Sequence, residues 1–239
     1  MKISILGCGW YGLPLALELK GRGHEVKGST RNHEKQRELN ELGIETHLLD
    51  FPELPPRNLL DADVMVLNIP PFDQQLTWMN EWPFTDECKI IFISSTSVHN
   101  DSASGKILLA QENWLTNNYP QSVILRFGGL LGEKRHPGKV LSGRSQIASP
   151  NSPVNLLHLT DAIGVTLAMI EKNISGEVFD VVSDEHHTKK EFYEEYCLRN
   201  NILLPKFDER DQTTGKIISN HKIKGIYEFK VPTMLGKSL

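Results

Sequence analysis

Only three cysteines, Cys8, Cys88 and Cys197, occur in the 239 residues, and no two of them stand in a Cys-x-x-Cys pair. This excludes a disulfide framework and a zinc site of ordinary spacing, and points to a reducing cytoplasm. Long apolar runs are equally scarce. No stretch approaches the roughly 20 residues of a membrane-spanning helix, and Met1-Lys2-Ile3-Ser4-Ile5-Leu6 lacks the charged head and apolar centre of a signal peptide. An excess of positive charge is missing too: 26 Lys and Arg face 30 Asp and Glu, for a formal net charge of -4 that is shared equally on either side of Pro150. No basic lobe is therefore expected for nucleic acid or anionic lipid. Finally, the chain contains no Gly-x-Ser-x-Gly elbow, no Walker loop ending in Gly-Lys-Ser/Thr and no His-Glu-x-x-His, which removes hydrolase, kinase and metalloprotease chemistries of those types.

What is present is an alternation of short apolar runs with stretches of helical periodicity, the pattern of a doubly wound α/β parallel sheet covered on both faces. Strands are predicted at residues 2–6, 25–30, 44–49, 64–69, 89–94, 122–127 and 177–182. Continuous runs such as Val64-Met65-Val66-Leu67 and Ile90-Ile91-Phe92-Ile93 mark central strands, buried on both faces. Helices are predicted at 13–20, 33–42, 74–82, 107–117, 160–172 and 189–200, with Thr160 or Asp161 capping one and Thr188 another. From Gly128 to Val154 the pattern gives way to Gly, Pro, Ser and Arg, and after Asn201 the chain is polar with brief apolar runs. The expected organisation is a Rossmann core over 1–185, with an inserted loop over 128–154, and a small C-terminal substrate lobe over 186–239.

Gly7-Cys8-Gly9-Trp10-Tyr11-Gly12 matches Gly-x-Gly-x-x-Gly directly after the first strand and opens a helix whose first turn accommodates Pro14. In such a loop Gly7 permits the tight turn, Gly9 lets backbone approach a pyrophosphate, and Gly12 lets helix and strand pack closely. Helix amides then hold the diphosphate. Trp10 and Tyr11 are expected either to wall the cofactor cleft or simply to pack against the loop. Where an acidic residue would take the ribose hydroxyls of NAD, the second strand ends in Gly28-Ser29-Thr30-Arg31-Asn32. Thr30 and Arg31 suit a 2'-phosphate, so NADP is favoured and NAD is less expected; the other reading of Arg31 is a solvated charge leading into the next helix. Asp50 is placed either for the adenine edge or to cap a turn, and Asn68 and Pro70 for the central riboses.

The same loop, together with Ser94-Ser95-Thr96-Ser97-Val98, Arg126-Phe127-Gly128-Gly129-Leu130-Leu131-Gly132 and Val154-Asn155-Leu156-Leu157-His158-Leu159-Thr160-Asp161, resembles the extended short-chain dehydrogenase/reductase superfamily in its NAD-dependent epimerase/dehydratase branch. The resemblance implies a Rossmann sheet, a C-terminal substrate lobe and a catalytic Ser or Thr with a Tyr-x-x-x-Lys turn of helix. It places the catalytic serine at Ser95. His99 stands where a tyrosine usually follows Val98. Counting back from Glu112 puts Ser104 at the catalytic tyrosine and Leu108 at the lysine, and no tyrosine occurs between Tyr11 and Tyr119. Lys106 lies nearby without restoring the pattern.

Other polar residues have two readings. His99 is a candidate proton carrier or a loop histidine. His158 is expected to tie its loop to the core. His186 and His187, beside Asp184 and Glu185, read as a solvated lead-in to a helix, so no metal centre is expected. Arg126, Arg135, His136, Lys139 and Arg144 gather after the sixth strand, either to receive an anion or as solvent charges. The function expected is an NAD(P)-binding epimerase/dehydratase-like oxidoreductase acting on a small polar or sugar-linked substrate. The alternative is a catalytically silent NADP(H) sensor or scaffold. The partner expected is a small molecule, with a homodimer left open.

Overall fold

The computed structural model describes residues 1–72, 74–82, 87–132, 135–232 and 234. Seven strands form one sheet: β1 (Lys2–Leu6), β2 (Glu25–Thr30), β3 (Glu45–Leu48), β4 (Val64–Leu67), β5 (Lys89–Ser95), β6 (Val123–Phe127) and, late in the chain, β9 (Val178–Val181). Their order is β3-β2-β1-β4-β5-β6-β9, with parallel pairing and Ile3 beside both Val26 and Val64. All four residues of β4 are buried, as its unbroken apolar run requires of a strand covered on both faces. A second, two-stranded parallel sheet pairs β7 (Gly129–Leu131) with β8 (Leu156–His158).

The principal helices are α1 (Gly12–Gly21), α2 (His33–Glu41), α5 (Ala103–Asn118), α7 (Leu159–Glu171) and α8 (Lys189–Arg199). Shorter ones are α3 (Arg57–Leu60), α4 (Gln75–Asn80), α6 (Gly138–Leu141) and α9 (His221–Lys224). Thr188 caps α8 in a full capping box with Glu191. The expected cap of α7 is corrected: the helix already begins at Leu159, so Asp161 lies within its first turn.

The chain divides into two compact units, Met1–Arg126 with Ile163–Phe179, and Phe127–Ala162 with Asp180–Leu239. This differs from an expected boundary at 185/186. The division falls within β6, after Arg126, and within β9, after Phe179, so the 128–154 segment groups with the C-terminal residues; of the expected loop and lobe, 133–134, 233 and 235–239 lie outside the described residues. In the first unit Leu6, Met65, Leu67, Trp78, Ile90 and Phe92 belong to one buried cluster. The second has its own cluster of Leu131, Leu156, Phe192 and Met234.

Candidate cofactor site

The sheet order reverses between β1 and β4, and ligands of doubly wound folds bind beyond the carboxyl ends of strands at such a point. Gly7 follows β1 there and Asn68 follows β4. Gly7 has φ +98, and a Cβ on it would lie 2.1 Å from the Asn68 carbonyl oxygen. A Cβ on Gly12 would lie 2.3 Å from the Gly7 carbonyl oxygen. These two glycines are therefore required by the protein's own backbone. Gly9 differs: a Cβ there would meet nothing within 4 Å, and the residue is exposed. Its missing side chain leaves open space on the outer side of the loop.

Three anchors hold that loop. The Asn68 side-chain amide donates to the Gly7 carbonyl at 2.9 Å, the Gly7 N–H donates to Ser29 Oγ at 3.1 Å, and the Cys8 N–H donates to the Ser29 carbonyl at 2.8 Å. Ser29 is buried and was not among the expected site residues. Its signal was the small pair Gly28-Ser29, which stands opposite Ile5-Leu6 at the end of β1 and leaves room for the loop that follows; a Cβ on Gly28 would fall 2.4 Å from Cys8 Sγ. Burial pushes the Cys8 thiol up to about 12, so it stays a neutral packing group. The N-terminus of α1 has no side-chain cap and no acidic residue in its first turn. The Leu13 N–H is taken by the Gly9 carbonyl at 3.0 Å and Pro14 has no N–H, but no carboxylate in the first turn opposes the partial positive charge of this end, which suits the diphosphate of a dinucleotide.

The remaining cofactor candidates fall as follows. Trp10 is half-buried. Tyr11 packs inward, as the second of its two readings has it: its hydroxyl shares a 2.6 Å hydrogen bond with Thr166 Oγ1, and burial raises its pKa further above the ordinary phenol value. At the end of β2, Thr30 Oγ1 accepts from the Asn32 N–H at 3.3 Å, Asn32 caps α2 through the Lys35 N–H at 2.9 Å, and Arg31 is exposed between them. Asp50 and Pro70 are exposed after β3 and β4.

Ser95 ends β5, and its Oγ accepts from the Ser97 N–H at 3.1 Å, capping a 3-10 turn over Thr96–His99. His99 closes that turn at the surface. The start of α5 presses onto the turn so closely that a Cβ on Gly105 would lie 2.2 Å from the Ser97 carbonyl oxygen. Ser104 is exposed, Leu108 is buried, and Lys106 pairs with exposed Asp101 at 3.6 Å.

A buried charge network stands behind this turn. Arg126 grips both carboxylate oxygens of Glu112, at 2.6 Å for the closest contact, while Ser94 Oγ donates to Glu112 Oε1 at 2.5 Å. Arg126 is therefore engaged inside the first unit and leaves the group of cations expected to receive an anion. In the second unit His136 lies between rings, stacked on Tyr196 at 3.8 Å and on Phe192 at 5.1 Å, and its Nδ1 accepts from the Gly138 N–H at 3.0 Å. Burial brings its pKa down to about 4. His158 Nδ1 accepts from the Thr160 N–H at 3.2 Å, and His187 Nε2 is 3.0 Å from Glu185.

No family model matches the chain. The UDP-glucose 4-epimerase of Thermotoga maritima, solved with UDP-glucose, superposes with a TM-score of 0.72 at 12% identity, covering 94% of this chain and 92% of that one. A functionally unknown conserved protein from Silicibacter pomeroyi superposes with a TM-score of 0.81 at 20% identity, covering 97% and 94%. These two likenesses establish the fold. Protein YeeZ of Escherichia coli K12 is 32% identical, over 93% of this chain and 92% of its own length. By that identity across nearly the whole of both chains, this protein belongs to the YeeZ family.

Proposed function

We propose that the chain is an NADP-favouring, epimerase/dehydratase-like oxidoreductase acting on a small polar or sugar-linked substrate. The observation that carries this reading is the contrast within one loop: Gly7 and Gly12 are closed against backbone, whereas Gly9 is open beside an uncapped helix N-terminus. Gly7, Gly9 and Gly12 would hold the diphosphate, Arg31 and Thr30 the 2'-phosphate, and Asp50, Asn68 and Pro70 the adenosine side and the riboses. The cofactor, when bound, supplies hydride acceptance and delivery at its nicotinamide. Ser95 orients the substrate oxygen, and His99, at the end of the same turn, carries the proton.

A specific observation favours a second reading, a silent NADP(H) sensor or scaffold. The α5 position aligned with the catalytic lysine holds Leu108, which is buried, and that aligned with the tyrosine holds an exposed serine, Ser104. A serine hydroxyl is a far weaker acid than a phenol whose pKa begins near ~10. Single-turnover oxidation of bound NADPH over a panel of carbonyl compounds and nucleotide sugars separates the two readings. Turnover of any panel member supports the enzyme, and tight NADPH binding with no turnover supports the sensor.

A further inference from the structure

In the second unit α6 packs on α8, and the segment after α8 returns beside the segment after α6. The Gly143 N–H and Ser142 Oγ both donate to the Leu203 carbonyl, at 3.2 and 2.9 Å, and the Lys206 N–H donates to the Arg144 carbonyl at 2.8 Å. This pairing brings together apolar side chains that face solvent: Leu203 is 76% exposed, Leu198 66% and Val140 61%, with Ile202 and Leu204 exposed beside them. Scattered exposed leucines are ordinary, but five exposed apolar side chains gathered on packed helices and the paired segments that follow them are the mark of an interaction surface.

Two further features define what would cover it. Lys139, Arg144 and Lys206 are exposed along the same two segments and form no ion pair among the described residues. The backbone N–H groups of Leu203 and Leu204 have no hydrogen-bond partner among the described residues, although the Leu203 carbonyl has two. An anionic membrane would meet the charges and the leucines, but its fluid headgroup oxygens set no fixed acceptors opposite two successive backbone amides. A second copy laid on the same patch would bring cations against cations. An extended peptide answers all three features, through its own backbone carbonyls, apolar side chains and carboxylates.

We infer that the face formed by Val140, Leu198 and Ile202–Leu204 docks an extended peptide segment of a partner protein in which apolar residues alternate with Asp or Glu. Binding is weakened by salt, and the partner's backbone protects the amides of Leu203 and Leu204. The surface is independent of the dinucleotide reading.

The test uses the full chain and an array of short synthetic peptides in which Leu or Val alternates with Glu or Asp, and a second array with Lys in place of the acids. Binding is followed by fluorescence anisotropy for the parent, Leu203→Asp and the double variant Lys139→Glu, Lys206→Glu. Members of the acidic array should bind with micromolar affinity, lose at least about tenfold with Leu203→Asp and with the charge reversals, and slow hydrogen exchange at Leu203 and Leu204. All altered side chains are exposed, so the variants should fold, and circular dichroism verifies this. The inference is overturned if no acidic peptide binds, if the Lys array binds equally, or if Leu203→Asp leaves affinity unchanged. It is also overturned if the face proves to serve another occupant. Binding to phosphatidylcholine vesicles with about 30% phosphatidylserine that Leu203→Asp abolishes would assign it to a membrane. Self-association in sedimentation, abolished by the same change, would assign it to a second copy.

Discussion

The hydroxyl of Tyr227 donates to the carboxylate of Asp161 at 2.9 Å, joining the C-terminal segment to the first turn of α7. The same carboxylate accepts the backbone N–H groups of Lys230 at 2.7 Å and Val231 at 2.9 Å, so one fully buried side chain fastens three points of the chain. Burial and the neighbouring negative charge raise the Tyr227 pKa, which keeps its proton available for donation. Beyond this latch, Met234 enters the cluster with Leu131, Leu156 and Phe192.

Replacing Asp161 should therefore loosen the C-terminal segment more than any surface change nearby. Asp161→Ala is expected to cost about 2–4 kcal/mol and to speed hydrogen exchange at Lys230 and Val231. Asp161→Asn keeps an acceptor for Tyr227 and Lys230 but sets its amide against the Val231 N–H, so it should fall in between. Denaturant titration with site-resolved exchange measures both.

His136 gives the second unit a dependence on pH. Its folded pKa of about 4 lies below the ordinary 6.5, because burial between Tyr196 and Phe192 disfavours the imidazolium. Its contribution is fully present above about pH 6.5 and is lost as pH falls toward 4, since the unfolded chain then binds the proton more readily. The loss expected is on the order of 1–2 kcal/mol, less than the full shift implies because the ring keeps a solvent-exposed edge. Thermal melts between those limits should show the decline, and His136→Phe should flatten it.

Arg31 decides cofactor preference in the proposed function. NADPH should bind more tightly than NADH by about 1–3 kcal/mol through a charge-assisted pair with the 2'-phosphate. Titration calorimetry with both cofactors measures this, and Arg31→Ala should bring the two affinities together. A preference that survives the substitution assigns the phosphate to other residues.

The chemistry should be slow. If the proposed function runs with Ser104 and Leu108 at the positions that the resemblance gives to the tyrosine and lysine, turnover is expected to fall about 100- to 10,000-fold below that of an enzyme with a positioned general acid. Ser95→Ala and His99→Ala should each lower single-turnover NADPH oxidation further. Fast oxidation indifferent to both would place the proton donor elsewhere in the chain.

The alternation of apolar runs made most of the main sheet legible in the sequence. The β1 and β2 bounds are those read from their periodicity, and the other strands of the main sheet differ by a residue or two at their ends. Strands β7 and β8 were not legible, because three-residue runs beside Gly and His carry too little periodicity to be told from loop. The glycine loop could be read because its spacing is local. Asp161, Ser29 and the Glu112–Arg126 pair could not be assigned their partners in this way, since each acts across 14 or more residues on a different element. Local pattern does carry Asp161 as a helix-start residue, yet its partners arrive 66 to 70 residues later.

The proposed function requires the outer side of the loop at Gly9 to receive a dinucleotide diphosphate. Calorimetric titration of NADPH into the parent and Gly9→Val tests it directly, with circular dichroism on both. A Cβ at this position meets nothing in the protein, so the variant should keep its fold, while its side chain fills the space the diphosphate needs. NADPH should bind tightly to the parent and not at all to a folded Gly9→Val. Equal affinity in the two, or no binding to the parent, would contradict it.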